Sequence, residues 1–136
     1  MLLRYSSHMT DVVWFIPPFA ASAMVSFEYW EAPIAQPKNI VGGHLLSSLI
    51  GLMAVRLFGT APLALGLAVG TSIFLMTVLR ISHAPASSDP IIVMLNHAAW
   101  AFLLTPVLAG AMAVTGIALI YNRLVHRKPY PVYWWN

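Results

Sequence analysis

Apolar and polar positions divide the chain into long greasy runs separated by short polar breaks, and the breaks carry nearly all the prolines and ionisable groups. The first run, residues 9–27, has Pro17-Pro18 in its middle, which predicts two pieces rather than one helix. Its second piece opens on the small residues Ala20-Ala21-Ser22-Ala23, which let another backbone come close. A polar connection over 28–39 follows, with Tyr29 and Trp30 suited to a membrane-water boundary. The run 40–58 sets Gly43, Ser47 and Gly51 on one face at four-residue spacing, a small-residue packing stripe. Residues 62–81 are long enough, at about 1.5 Å per residue, to cross a hydrocarbon core, and they contain Gly66 and Gly70 as a GxxxG pair. Arg80 near their end can snorkel to the interface. Then comes the densest polar break, 82–90, with one histidine, three serines, one aspartate and two prolines. Beyond it the pattern predicts a short apolar half-helix over 91–95, a break at Asn96-His97, and a long span over 98–124. The tail 127–135 joins basic residues to aromatics, as a segment lying on a membrane surface would.

This pattern predicts an all-α polytopic membrane protein in one domain, 1–136, with about four spans and half-helices after Pro17/Pro18 and Pro85. Composition agrees. Residues are 60% hydrophobic and only 8% charged, and the mean hydropathy of +0.78 excludes a water-facing surface. There is no cysteine, so disulfides and thiolate metal sites are excluded. The N-terminus lacks the ordered regions of a signal peptide and reads as mature sequence. Arg4, Arg56, Arg123, Arg127 and Lys128 fall on one side of a four-span arrangement, against Lys38 and Arg80 on the other. The positive-inside rule then puts both termini in the cytoplasm, with a bacterial inner membrane as the expected location. The basic cluster near the C-terminus suits anionic headgroups better than nucleic acid.

A shift of 67 residues brings Pro18 onto Pro85, Gly43 onto Gly110, Ile50 onto Ile117 and Arg56-Leu57 onto Arg123-Leu124. Each half, 17–57 and 84–124, then reads as a proline-started stretch, a connection, and a Gly-bearing span ending in Arg. Such repeats are common in transporters, with the site between halves. The repeat equates 11–27 with 78–94, which favours short re-entrant half-helices in both halves and works against four simple spans.

Among the chemistry-bearing residues, Asp89-Pro90 reads first as a helix start, aspartate at the N-cap and proline at N1. A half-helix N-terminus at membrane depth could instead receive an anion, for which Ser87 and Ser88 suit better than the carboxylate. His83 and His44 stand at helix ends on the same expected side, where an imidazole could donate to a substrate or relay protons. His97 follows the expected break and could satisfy its backbone. No histidine pair has metal-ligand spacing, and no phosphate loop, Ser-His-Asp ordering or paired carboxylate appears; neither metal, cofactor nor enzymatic chemistry is expected.

The chain resembles the HPP family of small integral membrane proteins. The matching stretches are Pro18-Phe19-Ala20-Ala21-Ser22-Ala23 for the family's PFGASA-like run, Ala35-Gln36-Pro37-Lys38-Asn39 with Gly42-Gly43-His44 for its AQPRN and GGH, and Tyr130-Pro131 with Trp134 for its YPxxW tail. The naming motif departs: His83-Ala84-Pro85 is followed by Ala86-Ser87-Ser88-Asp89-Pro90 where the family has His-Pro-Pro and Ala-Gly-Ala. The resemblance implies a helical membrane protein and, for some members in chloroplasts and cyanobacteria, a role in nitrite transport. The expectation is an oligomeric transporter or channel for a small inorganic, nitrite-like anion. Ser22, Lys38, Asn39, His44, His83, Ser87 and Ser88 would lie near its pathway. The competing expectation is an accessory subunit whose Gly43, Ser47, Gly51, Gly66 and Gly70 face a partner in a larger membrane complex.

Overall fold

The computed structural model describes residues 17–135, and these form helices and turns without a strand. Helix α1, Pro17–Glu28, begins on the Pro17-Pro18 pair, because proline's fixed φ suits a first helical turn that needs no N–H. A short 3₁₀ turn, Pro33–Ala35, leads into α2, Pro37–Phe58, which also starts on proline. Helix α3, Pro62–Val78, repeats that start, and a 3₁₀ stretch, Ala84–Ser88, runs into the short α4, Asp89–Leu95. The last helical run, Trp100–Val125, has an α-helical centre, α5, Ala109–Ile120, flanked by a 3₁₀ turn and wider π-type turns. Thr105 is extended within that run (φ −139°, ψ 116°), as expected of the residue before Pro106.

Among the described residues two helical stretches are long and apolar enough to cross a bilayer, α2 (mean hydropathy 1.6) and Trp100–Val125 (2.1). The expected four simple spans are not found there. Helix α3 has 17 residues, short of the ~20 that a full crossing needs, because the chain turns at Arg80 before Ile81 is reached. Arg80 takes a left-handed conformation (φ 55°), and the Ile81 N–H returns to the Met76 carbonyl to close the helix end. The expected break at Asn96-His97 is present and built the same way, with His97 at φ 47° and the Ala98 N–H bonded to the Val93 carbonyl. The part of the first expected run before Pro17 lies outside the described residues.

Helix α2 is the centre of the packing, with α3 and α4 laid against it along most of its length and α5 touching it as well. Its small-residue stripe receives α4 and the segment leading into it. A Cβ on Gly43 would come within 2.8 Å of His83 Cβ, and one on Gly51 within 2.8 Å of Pro90 Cα. The stripe is thus spent inside the chain rather than on a partner. Gly66 and Gly70, in contrast, have nothing within 4 Å of such a Cβ.

The bounds of the elements are related by the 67-residue offset: α1, 17–28, maps onto 84–95, the 3₁₀ stretch plus α4, and α2, 37–58, maps onto 104–125. Each short unit packs on the long helix of the other half, α4 on α2 and α1 on α5. Gly110, the counterpart of Gly43, is where the Phe19 ring of α1 is seated. The interior so formed joins apolar clusters to many polar side chains. Ser22, Asn39, His44, Ser47, Ser48, His83, Asp89 and Asn122 are buried, while Leu57, Phe58, Leu63, Phe74, Ile120 and Leu124 are exposed, the distribution of a protein solvated by lipid.

Candidate functional site

Four elements aim side chains at one buried point. From α1 comes Ser22, six residues into the proline-started helix; from α2 comes His44, next to the glycine pair; from the segment after α3 comes His83; from the first turn of α4 comes Asp89. The close approach of His83 depends on Gly43, and Gly42 makes the same allowance for the Ile81 side chain.

The Ser22 hydroxyl lies 2.8 Å from His44 Nε2 and 2.8 Å from His83 Nε2, so a single oxygen bridges two imidazoles. Their ring centroids are 5.1 Å apart, edge to face. On its other side His44 Nδ1 lies 2.7 Å from Asp89 Oδ2, and His83 Nδ1 lies 2.6 Å from the Ile34 carbonyl. Asp89 Oδ2 also accepts from Ser47 Oγ (2.9 Å) and Ser48 Oγ (3.4 Å), and the Phe19 ring closes the His44 side at 4.9 Å. The Ser22 hydroxyl has a third neighbour, the Pro18 carbonyl one turn back, at 2.8 Å. The result is a continuous chain of polar atoms, Asp89, His44, Ser22, His83, Ile34, with all four side chains at 0–1% exposure.

That chain ends at a cavity. Ile34, Pro33, Lys38, Asn39, Arg80, Ser82 and Tyr133 line a volume of about 310 Å³, open on one side. Asn39 holds its wall together, its Nδ2 donating to the Ser82 carbonyl at 2.9 Å. Two basic side chains, Lys38 and Arg80, are among the described residues of this wall.

The sequence candidates divide. Ser22, His44 and His83 are brought together, and Lys38 and Asn39 stand at the cavity. Ser87 and Ser88 do not reach either place; their hydroxyls bond back to the Ala84 and Pro85 carbonyls. His97 is exposed on the far side of α4. Asp89 is not a cap: its backbone is already helical (φ −57°, ψ −41°), and its carboxylate turns inward to His44. A buried imidazole and two hydroxyls offer that carboxylate more than the free N–H groups of a seven-residue helix would. Ser47 and Ser48 belong to the site as well. The four-residue stripe gave a signal for Ser47, but for packing.

The conserved-looking motifs of the resemblance each acquire a physical role. In Ala35-Gln36-Pro37-Lys38-Asn39, the Ala35 carbonyl accepts from Tyr130 Oη at 2.6 Å, while Gln36 Nε2 donates to the Trp30 and Ala32 carbonyls. Gln36 Oε1 takes the Val132 N–H. The tail is thus tied down at Tyr130 and Val132, while the side chains of Val132, Trp134 and Trp135 stay exposed. Tyr130 is fully buried, Arg123 Nε holds its carbonyl at 2.7 Å, and burial pushes the phenol above its ordinary pKa so that it remains a donor.

An apolar exterior around mutually bonded histidines, hydroxyls and a carboxylate, carried on the long α2 and on shorter elements packed against it, defines a helical membrane protein built about an internal polar cluster. The chain belongs to the HPP family, matching the family's transmembrane region over residues 1–131. Two transmembrane proteins of Dictyostelium discoideum are similar to it, one 35% identical over 88% of this chain and 45% of its own length, the other 32% identical over 92% of this chain and 43% of its own. The chain thus spans a little under half the length of these relatives. No solved structure matches it.

Proposed function

We propose that this chain is a transport module for a small inorganic anion of the nitrite class, taken up at the cavity beside Lys38 and Arg80 and served by the buried Ser22, His44, His83 and Asp89. The observation that carries this reading is the juxtaposition of the two. His83 bonds to the carbonyl of Ile34, which is itself a wall residue of the cationic cavity. A buried chain of titratable groups in a lipid-solvated protein has a cost in stability, and ion or proton movement is the usual reason for keeping one. An anion reaching the cavity would find cationic attraction from Lys38 and Arg80 and a hydroxyl donor at Ser82.

Asp89, His44 and Ser22 have the spacing of a nucleophilic triad, carboxylate to Nδ1 and Nε2 to hydroxyl. An enzymatic reading is nevertheless weaker. Ser22 is fully buried, is flanked by a second imidazole, and lines neither the cationic cavity nor the larger apolar groove under Trp134 and Trp135.

The test is nitrite uptake by liposomes containing the purified protein, compared with empty liposomes and with His83→Ala. Faster uptake that His83→Ala removes is expected; equal uptake with and without protein contradicts the reading. Outward-facing Gly66 and Gly70 on α3 support assembly of several copies, and a stoichiometric foreign partner in mild detergent would instead favour an accessory subunit.

A further inference from the structure

We propose that Asp89, His44, Ser22 and His83 are a proton relay that holds one proton beyond those of an ionised Asp89 and two neutral imidazoles, and passes it between His44 and His83 through the Ser22 hydroxyl.

Counting hydrogens leads there. The Ile34 carbonyl can only accept, so His83 Nδ1 carries its hydrogen at that 2.6 Å contact. Asp89 Oδ2 accepts from Ser47 and Ser48, and the third group on it, His44 Nδ1 at 2.7 Å, donates as well. If both imidazoles were neutral, both Nε2 atoms would be bare and both would face Ser22 Oγ at 2.8 Å. Ser22 has one hydrogen, for which the Pro18 carbonyl also competes, so at least one contact would set lone pair against lone pair. One added proton gives both imidazole contacts a hydrogen, with Ser22 donating to a ring instead of to the Pro18 carbonyl, and it does so in two ways. Either His44 is the imidazolium, donating from Nε2 to Ser22, which donates to His83; or His83 is the imidazolium, donating to Ser22, which donates to His44.

The two arrangements contain the same atoms. Passing between them, the His44 Nε2–H bond breaks as a new Ser22 Oγ–H bond forms, and the old Oγ–H bond breaks as His83 Nε2–H forms. Nothing is oxidised or reduced. The cluster stays neutral, an imidazolium with the Asp89 carboxylate, which limits the cost of burying it.

The surroundings decide which arrangement rests. Asp89, on α4, touches His44 and favours the charge there. Helices α3 and α5 carry no titratable side chain in Pro62–Val78 and Ala109–Ile120, and α1 faces the cluster with only Ser22 and Phe19. Toward the cavity stand Lys38, from α2, Arg80 and Tyr133, while burial and the neighbouring His44 disfavour a charge on His83. An anion in the cavity offsets this and draws the proton from His44 to His83. This last coupling rests on the proposed anion site; the shared proton does not.

The experiment is nitrogen NMR on ¹⁵N-histidine-labelled protein in nanodiscs at pH 7.5, with His44→Gln and His83→Gln to assign the rings. One imidazolium distributed over His44 and His83 is expected in the wild type. Asp89→Asn should lose it, Ser22→Ala should fix it on His44, and Ser22→Thr, which keeps a hydroxyl, should restore sharing. Addition of sodium nitrite should move most of the imidazolium signal to His83 in the wild type but not in Ser22→Ala. The absence of any imidazolium signal in the wild type, a measurement that needs no variant to fold, would overturn the proposal, as would Ser22→Ala behaving as the wild type does. A shared imidazolium indifferent to nitrite, in a protein that moves no nitrite, would leave the relay standing and remove the anion reading alone.

Discussion

Ser22 shows how much one small side chain can depend on its neighbours, since its hydroxyl joins two histidines from different parts of the chain and does so only where glycine lets them approach. Gly43→Ala should therefore be costly. Its Cβ would stand 2.8 Å from His83 Cβ and 3.3 Å from the Ile81 carbonyl, neither of which is the free end of a flexible side chain. The expected outcome is a His83 ring displaced from Ser22, with nitrite uptake reduced at least tenfold. Gly116→Ala, in α5, meets nothing within 4 Å and gains about 0.5–1 kcal/mol of helix propensity, so it should leave uptake unchanged and raise the unfolding temperature slightly. Ser22, His44 and His83 were legible as candidates because a polar residue in so apolar a chain needs a reason. Asp89 was legible only as a cap, since aspartate before proline has a strong local use and nothing in the sequence shows that His44, 45 positions away, lies within reach.

At the scale of elements, several bounds were legible, α2 ending at Phe58 and α4 before Asn96 as expected, and others were not. Pro17 and Pro62 open helices where expected, but α2 begins at Pro37, inside the connection expected over 28–39, because proline also suits a first helical turn. The end of α3 at Arg80 was missed because a left-handed turn on an arginine costs on the order of 1 kcal/mol and has no sequence mark of the kind glycine leaves. Arg80→Gly should thus have two opposite effects, a stability gain of about 1 kcal/mol at the helix end and slower anion uptake from loss of a cationic wall residue. Thermal unfolding in detergent and liposome uptake check them separately. In the tail, read as interfacial from its aromatic and basic residues, the sequence did not show that the Ala35 carbonyl draws Tyr130 inside. Tyr130→Phe leaves that buried carbonyl without its donor and should destabilise the protein by about 1–3 kcal/mol while the histidine signals remain those of the wild type.

For the whole molecule, composition was sufficient to show that lipid is the solvent, and the bounds of the paired elements are related by the 67-residue offset. Hydropathy counts apolar runs, and α1 and α4 are apolar enough yet only 12 and 7 residues long, so they pack as short units on the long helices α5 and α2. Ser22 and Asp89 occupy corresponding places in the two halves under that offset, which puts the relay at the junction between them. The outward side of α3 remains uncovered, with Gly66 and Gly70 among the exposed Leu63, Leu67 and Phe74. Replacing both glycines with isoleucine should reduce the oligomer seen by native mass spectrometry while leaving the histidine signals intact, because neither glycine touches the relay.

The most direct test of the account joins its two parts in one vesicle. Liposomes containing the protein and a trapped pH indicator are given an inward nitrite gradient, and nitrite and proton entry are followed together. The account predicts that the two enter in fixed proportion, and that Ser22→Ala and Asp89→Asn slow both at least tenfold while Gly116→Ala slows neither. Nitrite entry without protons, or entry that Ser22→Ala leaves unchanged, would contradict it.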